Sequence, residues 1–243
     1  MDRERSLTAD AGPGQSVAVE AAVAVRGVTK TYRSGPEKVR AVDDVTLHAD
    51  AGEMVALMGP SGCGKSTLLS LIGGLLQADG GHIEVLGRDL VGQSAAERTR
   101  MRLLDMGVVF QADNLLEDLT CVENVALPLS LRSGSTLDPR VMAREALDRM
   151  GIIECADRFP RQMSGGQRQR AGIARAMAGG RRVLLADEPT GALDSRNSAD
   201  VFDLLRGLAG SGVAVLVVSH DEMVREYATR VLGMRDGRLV AAA

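Results

Sequence analysis

Four short aliphatic runs stand out in the hydrophobic pattern of the chain, and each is followed by a polar or glycine-containing segment. They occupy residues 54–58, 107–110, 183–186 and 213–218. Runs of this length, separated by helical patterns, are typical of buried parallel strands that carry helices on both faces of the sheet. The pattern predicts an α/β fold around a mostly parallel sheet.

The segments around these runs predict two further pieces of structure. Alternating valines from residue 23 to 28 indicate strands of an antiparallel β subdomain, and residues 231–240 indicate a small hairpin turning at Asp236-Gly237. Between the second and third runs, a capping box at residues 120–123 and an Asp-Pro pair at residues 138–139 each predict the start of a helix. We therefore expect a helical subdomain at about residues 112–165, inserted into the α/β core.

Composition bounds the class of protein. Hydrophobic residues make up 45% and charged residues 25%, proportions of a soluble globular protein, and the formal net charge of −3 excludes a typical phosphate-backbone binder. We expect no nucleic-acid partner. Residues 1–20 mix charges with Ala, Gly, Pro and Ser and predict a disordered tail, which leaves residues 21–243 as one domain.

Cysteine usage and hydropathy indicate the compartment. The three cysteines, Cys63, Cys121 and Cys155, are widely spaced and form no C-x-x-C pair, as expected of reduced thiols. The longest aliphatic stretches fall far short of the ~20 residues that span a bilayer, and the N-terminus has no signal-peptide core. These features predict a cytoplasmic protein, unless a partner holds it at the membrane.

A glycine-rich segment after the first run carries the clearest chemistry. It comprises Gly59, Pro60, Ser61, Gly62, Cys63, Gly64, Lys65, Ser66 and Thr67. This is the P-loop pattern between a strand and a helix, where backbone N–H groups cradle phosphates and the helix N-terminus adds positive potential. Lys65 would reach the β- and γ-phosphates, and the Ser66 hydroxyl would ligate Mg²⁺. A chance glycine-rich turn is the alternative, and the strand and helix flanks argue against it.

Polar residues also follow the other buried runs. Asp187 and Glu188 end the third run, Gln111 follows the second and His220 the fourth, which we take to be the last parallel strand. Because ligands bind beyond the carboxyl ends of parallel strands, these side chains should converge on the P-loop. Asp187 would hold Mg²⁺, Glu188 would act as general base, and His220 would contact the γ-phosphate. By itself, His220 would more often be a structural residue.

One further segment points to a family. Met163, Ser164, Gly165, Gly166 and Gln167 precede a helix and resemble the Leu-Ser-Gly-Gly-Gln signature of ATP-binding cassettes (ABC), with Met in place of Leu. The other motifs follow the family order over about residues 23–240: Tyr32, the P-loop, Gln111, the signature, Asp187-Glu188, Asp194 and His220. The resemblance is thus to the ATP-binding subunit of an ABC transporter, with a P-loop NTPase core.

The resemblance implies roles for these residues. ATP and Mg²⁺ are the expected ligands, with Ser66, Gln111 and Asp187 at the metal. Ser164, Gly165, Gly166 and Gln167 would contact the γ-phosphate held by the other subunit, so that two cassettes sandwich two ATPs head to tail in a homodimer or paired cassette. Tyr32 would stack on adenine, and Asp194 would help to join the two active sites. Gln111 would sense a membrane partner.

Several segments resemble one branch of the family, which serves lipoprotein release, macrolide or peptide efflux and cell-division signalling. They include residues 108–120, 123–129 and 186–191. The leading prediction is an ATPase that drives a separately encoded permease from the inner face of the membrane and exports a hydrophobic, lipid-linked or peptide-like substrate. The alternative is a mechanotransmission ATPase that activates a cell-wall enzyme without moving solute. Residues 112–128, with Leu115, Leu116 and Leu119, are expected either to receive a permease helix or to pack beneath the insertion.

Overall fold

The computed structural model describes residues 21–34, 37–111, 115–132 and 137–241, so the predicted tail 1–20 lies outside the described residues. Within these ranges the strands are β1 Val23–Ser34, β2 Glu37–Ala49, β3 Met54–Met58, β4 Gly80–Val85, β5 Arg88–Asp89, β6 Met106–Val109, β7 Val183–Asp187, β8 Ala214–Ser219, β9 Arg230–Arg235 and β10 Arg238–Val240. The α-helices are α1 Lys65–Ile72, α2 Ala95–Leu104, α3 Cys121–Ser130, α4 Pro139–Arg149, α5 Gly165–Met177 and α6 Ser195–Gly210. Short 3₁₀ turns lie at Ile153–Cys155, Pro160–Gln162 and Glu222–Glu226.

A six-stranded sheet forms the centre of the fold, in the order β10-β9-β3-β8-β7-β6. The four aliphatic runs become β3, β6, β7 and β8, with ends within one residue of the predicted bounds. All four lie parallel, which confirms the predicted α/β core.

The predicted C-terminal hairpin is present, but its place in the sheet differs from the expectation. β9 and β10 pair antiparallel around Asp236-Gly237, and β9 also pairs in parallel with β3. The prediction that His220 ends the last parallel strand is therefore wrong, because β9 follows β8 in the chain and is parallel too. Pairing between β9 and β3 joins residues about 175 positions apart, which a local hydrophobic pattern does not encode.

Helices and a second sheet cover the two faces of the central sheet. The second sheet is antiparallel, in the order β2-β1-β4-β5, and α1 packs between it and the central sheet. On β3, Val55 and Leu57 face the hydrophobic core that contains α1 and the second sheet. Met54, Ala56 and Met58 face the opposite core, where they pack with α3, α5 and α6. Burial on both faces explains why the central strands are aliphatic without alternation.

The segment between β6 and α5 is helical, as the capping signals predict. Thr120 and Glu123 form a reciprocal capping box at the start of α3, and Asp138 caps α4. Both helices pack against each other and against α5. Across the described ranges, no helix combines the length and apolar character needed to cross a bilayer.

Candidate functional site

The P-loop is held in shape by backbone that closes on it from two sides. Gly64 adopts a left-handed conformation with φ of 107°, and a methyl group on it would lie 2.0 Å from the Ala41 carbonyl oxygen of β2. A methyl group on Gly59 would lie 2.1 Å from the Met234 carbonyl oxygen of β9. Only glycine fits at either point, so the loop keeps the tight course that directs its N–H groups to one centre.

Lys65 begins α1 and extends its ammonium group back over this loop. Its Nζ donates hydrogen bonds to the carbonyl oxygens of Gly59 at 2.8 Å and Pro60 at 3.0 Å. The side chain is buried, at 6% exposure. A sheltered ammonium beside a cluster of loop N–H groups suits the β- and γ-phosphates of a nucleotide.

Ser66 and Asp187 meet beside the loop. The Ser66 hydroxyl donates to Asp187 Oδ1 at 2.9 Å and joins the start of α1 to the carboxyl end of β7. Burial, together with the nearby Glu188 carboxylate, raises the pKa of Asp187, while the Ser66 hydrogen bond and Lys65 oppose the rise. Hydroxyl and carboxylate oxygens are ligands that Mg²⁺ accepts, and a metal ion would relieve the unfavourable burial of the charge. The pair fits the predicted metal.

Glu188 and His220 form a second pair, one strand end further along the sheet. The Glu188 backbone is left-handed with φ of 48°, and its N–H donates to the Val218 carbonyl of β8 at 2.9 Å. Its Oε2 lies 2.7 Å from His220 Nδ1 and also accepts from the His220 backbone N–H at 3.3 Å. The Glu188 side chain is 15% exposed and that of His220 is 63% exposed. The carboxylate is thus held in one place while the imidazole faces outward.

Gln111 and Tyr32, the remaining predicted ligands on the P-loop side, are both exposed. Gln111 is exposed after β6, and a methyl group on Gly191 would lie 3.2 Å from its Nε2. In the described part of the chain, no hydrogen bond joins Gln111 to Ser66 or Asp187. Tyr32 is on β1 in the antiparallel sheet, 40% exposed, with Lys30 Nζ at 5.9 Å from its ring centre. An exposed ring of this kind is free to stack on a base.

The signature segment forms the start of α5. Ser164 is the N-cap: its Oγ accepts from the Gln167 N–H at 3.2 Å, and Gln167 Oε1 accepts from the Ser164 N–H at 3.0 Å. Gly165 and Gly166 are the first two residues of the helix, whose N–H groups have no carbonyl partner within it. Such an end is an anion site when it is presented to a phosphate.

Asp194 lies beside the signature, at the N-cap of α6. It accepts a hydrogen bond from the Asn197 N–H at 2.9 Å and another from Asn197 Nδ2 at 2.8 Å, and these bonds lower the pKa of its carboxyl. The structure therefore brings Ser66, Asp187, Glu188 and His220 to the P-loop edge, and it brings Asp194 to the signature.

Sequence reasoning missed three residues that shape these sites. Ala41 and Met234 close on the P-loop through their carbonyl groups, and a backbone contact leaves no trace in residue type. Asn197 bonds Asp194 and touches Gly166. Its position three residues after the Asp194 cap could have indicated the hydrogen bond to Asp194, but not the contact with α5.

A strand–P-loop–helix unit, a hydroxyl–carboxylate pair and a fixed glutamate at the same edge define a nucleoside-triphosphate-binding protein of the P-loop class. The family model described as "ABC transporter" matches residues 42–191, which is more than half of the chain. The chain belongs to this family, as an ATP-binding cassette with ATPase chemistry.

Relatives and solved structures agree with this assignment. The macrolide export ATP-binding/permease protein MacB of Burkholderia pseudomallei is 42% identical over 213 residues, which are 88% of this chain and 33% of that protein. An uncharacterized ABC transporter ATP-binding protein of Methanocaldococcus jannaschii is 37% identical over 218 residues, 90% of this chain and 97% of that one. The chain thus spans about a third of the length of its MacB relatives.

A solved ATP-binding cassette, dimeric in a post-hydrolysis state bound to ADP and Pi, superposes with a TM-score of 0.83 at 38% identity. The match covers 89% of this chain and 96% of that one. The architecture described above is therefore that of an ABC cassette.

Proposed function

We propose that two copies of this cassette close head to tail around two ATPs, hydrolyse them, and drive a membrane permease that exports a hydrophobic, lipid-linked or peptide-like substrate. The observation that carries the catalytic part is the fixed Glu188 carboxylate, which is 2.7 Å from His220 Nδ1 at the P-loop edge. The name of the MacB relatives, macrolide export proteins, supports the export direction.

In this proposal Glu188 is the general base. Its backbone is tied to β8 and its Oε2 is held by His220, so the second oxygen remains to accept a proton from the attacking water. The outward-facing Nε2 of His220 would contact the γ-phosphate and keep the water in line. Lys65 would neutralise charge that develops on the transferred phosphoryl group.

Ser66, Asp187 and Gln111 would hold the Mg²⁺. Ser66 and Asp187 already meet at 2.9 Å, and Gln111 would reach the ion from the end of β6, where its side chain lies beside Gly191. Held by these residues, Mg²⁺ would supply positive charge that stabilises the negative charge developing on the phosphate during hydrolysis. Tyr32 would stack on the adenine ring.

The proposed dimer is based on the presence of two helix N-termini, of α1 and α5, that each suit a phosphate but belong to separate sites in one subunit. The P-loop site is assembled within one subunit, while at the α5 end Ser164 is exposed, Gly165 is half-buried and Gly166 is buried. Facing copies would place this end on the γ-phosphate held by the partner. A second solved structure of the same cassette, also dimeric, is 39% identical with a TM-score of 0.81 and supports the arrangement.

The three leucines of the loop predicted to contact the permease differ in exposure. Leu115 is buried in the core and Leu119 is half-buried, as the packing alternative expects, while Leu116 is exposed. The Asn124 side chain of α3 forms hydrogen bonds with the backbone of Leu116 and Leu119 and so fixes this loop against α3. Residues 112–114 of the predicted surface lie outside the described residues.

A better candidate is a groove of about 380 Å³ next to this loop, called here the α3 groove. It runs between β6, α3 and α5, and its exposed apolar side chains are Leu75, Phe110, Leu127 and Leu131. An amphipathic helix with three or four apolar side chains on one face fits such a surface. We propose that a cytoplasmic helix of the permease occupies it, which would hold the cassette at the inner face of the membrane.

The charge around the α3 groove indicates what that helix carries. Arg102, Arg175 and Arg181 line it, without a carboxylate among the lining residues that the structure describes. Burial and the nearby Arg132 lower the pKa of Arg181 to about 10, and burial and Arg98 lower that of Arg102. Arg181 and Arg102 already donate to backbone carbonyl oxygens, so a partner would feel their charge mainly at a distance. That positive charge would favour acidic side chains on the partner.

The catalytic proposal is tested with Glu188→Gln. The amide preserves size and hydrogen-bonding reach but cannot take a proton, so hydrolysis should fall on the order of 100-fold or more. ATP binding should persist, and ATP should now trap a stable dimer in size-exclusion chromatography. Wild-type turnover by a folded Glu188→Gln sample would show that another group is the base.

The docking proposal is tested by crosslinking. Single cysteines replace Leu131 in the α3 groove, or the similarly exposed Val39 of β2 as control, in a chain free of native cysteines. Each is co-expressed with the membrane protein encoded by the neighbouring open reading frame. Leu131→Cys should crosslink to a cytoplasmic segment of that protein in an ATP-dependent yield. Equal yields from Val39→Cys would show that the α3 groove is not the docking site.

A further inference from the structure

Asn197 occupies an unusual place between two helix ends. Its backbone N–H and its Nδ2 both donate to the Asp194 carboxylate, at 2.9 and 2.8 Å. The other end of its amide, Oδ1, is so close to α5 that a methyl group on Gly166 would lie 2.6 Å from it. The amide group therefore fills the whole space between Asp194 and Gly166.

A second contact brings the same two helix ends together. A methyl group on Gly165 would lie 3.3 Å from Leu193 Cδ2. Gly165 thus meets Leu193 of the loop that ends at Asp194, and Gly166 meets Asn197 in the first turn of α6, where an added methyl group would require the Asn197 amide to move. The two N-termini form one surface.

The loop that carries Asp194 is itself tied to the catalytic glutamate. The Gly191 N–H donates to the Glu188 carbonyl at 3.1 Å, and the Leu193 N–H donates to the Thr190 carbonyl at 2.9 Å. Short hydrogen-bonded turns of this kind leave the segment few conformations. Consequently, the position of the α5 end relative to Glu188 depends on the contact at Asn197.

We infer that Asn197 is a positioning residue, which sets the spacing between the signature end of α5 and the Asp194 loop for contact with the nucleotide of the partner subunit. The inference rests on the proposed head-to-tail dimer. Asn197 need not touch the nucleotide. It acts by holding the Gly166 N–H, one of the two that α5 leaves without an internal partner, at a fixed distance from Asp194.

The test uses Asn197→Ala in the Glu188→Gln background. Alanine keeps the backbone N–H that donates to the capping Asp194 carboxylate, so the helix start is preserved, but it removes both ends of the amide. We expect the dissociation constant of the ATP-bound dimer, measured by analytical ultracentrifugation, to rise about tenfold, since one fixed contact of this size is worth about 1.4 kcal/mol. ATP affinity of the monomer and the melting temperature should stay near those of the control Asp203→Ala, which alters an exposed carboxylate on the same helix.

A double-mutant cycle separates positioning from a general loss of stability. Gly166→Ala alone places its methyl group against Asn197 Oδ1 and should weaken the dimer. In the presence of Asn197→Ala the obstacle is gone, so Gly166→Ala should add little. Additive effects of the two changes, or an Asn197→Ala dimer as tight as that of Asp203→Ala, would overturn the inference. If the Glu188→Gln parent itself forms no ATP-dependent dimer, the proposed head-to-tail assembly fails first.

Discussion

The chain has two helix N-termini suited to phosphate, at α1 and α5, and they are built in opposite ways. The α1 end is enclosed: backbone carbonyls of Ala41 and Met234 press on its glycines, and the Lys65 ammonium is buried over the loop. The α5 end is open, and its N-cap Ser164 is exposed. The enclosed end therefore includes a positively charged side chain, that of Lys65. At the open end, the Arg168 guanidinium donates to the Met163 carbonyl oxygen at 2.9 Å and is only half-buried.

Under the proposed head-to-tail assembly, this difference would explain why one site binds a nucleotide within a single subunit and the other needs a second copy. A phosphate at α1 gains a charge-assisted contact with Lys65 and shelter from water. The helix N–H groups at α5 would contribute about 1 kcal/mol or less to binding a phosphate at this exposed surface. In the proposed assembly, the α5 end would become effective once another subunit brings a bound nucleotide to it.

Lys65→Ala tests the enclosed end and should have the largest effect. Loss of a sheltered ammonium that faces phosphate oxygens costs about 3 kcal/mol, or on the order of 100-fold in ATP affinity. Titration calorimetry of the monomer measures it, with exposed Lys38→Ala as the matched control. An unchanged ATP affinity in Lys65→Ala would show that the loop binds phosphate without this cation.

Two glycines of the P-loop provide the next test, because both are left-handed but only one is crowded. Gly62 has φ of 80° with nothing within 4 Å of an added methyl group, whereas Gly64 would meet the Ala41 carbonyl oxygen at 2.0 Å. Gly62→Ala should cost about 1–2 kcal/mol of unfolding free energy from its backbone conformation alone. Gly64→Ala should cost more and should also weaken ATP binding, since β2 must move.

Denaturant unfolding, together with ATP titration, distinguishes the two variants. Equal losses for Gly62→Ala and Gly64→Ala would mean that backbone conformation, and not closure by β2, determines the shape of the loop.

The backbone contacts on the P-loop glycines could not be predicted from the sequence, whereas the strands and the P-loop itself could. The strands β3, β6, β7 and β8 were predictable because burial on both faces produces short aliphatic runs, and the P-loop was predictable because its glycines have a fixed spacing. The parallel pairing of β9 with β3 was missed, since residues 231–240 carry only the local pattern of a hairpin.

The contacts of Ala41, Met234 and Asn197 were missed for a related reason. They depend on how distant segments pack. A contact between a backbone carbonyl group and a glycine can involve any residue type, so the sequence does not indicate it. Leu115 shows the same limit from the other side: its apolar character was visible in the sequence, but whether it faces the core or a partner was decided by the packing of α3.

Ser164→Arg tests the open end with a bulky side chain. The P-loop is untouched, so ATP affinity of the monomer should stay within about twofold of the parent. In the Glu188→Gln background, the long side chain should block the approach of the partner's nucleotide and abolish the ATP-dependent dimer in size-exclusion chromatography. A dimer that persists in the Ser164→Arg, Glu188→Gln variant would contradict the head-to-tail assembly.

The smallest expected effect sharpens the comparison most, because it separates the capping role of Ser164 from its role at the open end. Ser164 and Thr120 are both N-caps with reciprocal capping boxes, on α5 and α3. Replacement of either by alanine should lower the unfolding free energy by about 1 kcal/mol in denaturant titrations. Only Ser164→Ala should also weaken the ATP-bound dimer of the Glu188→Gln variant, since its hydroxyl is proposed to face the partner's γ-phosphate. Matching dimer affinities for Ser164→Ala and Thr120→Ala would reduce Ser164 to a helix cap and leave phosphate contact to the glycine N–H groups alone.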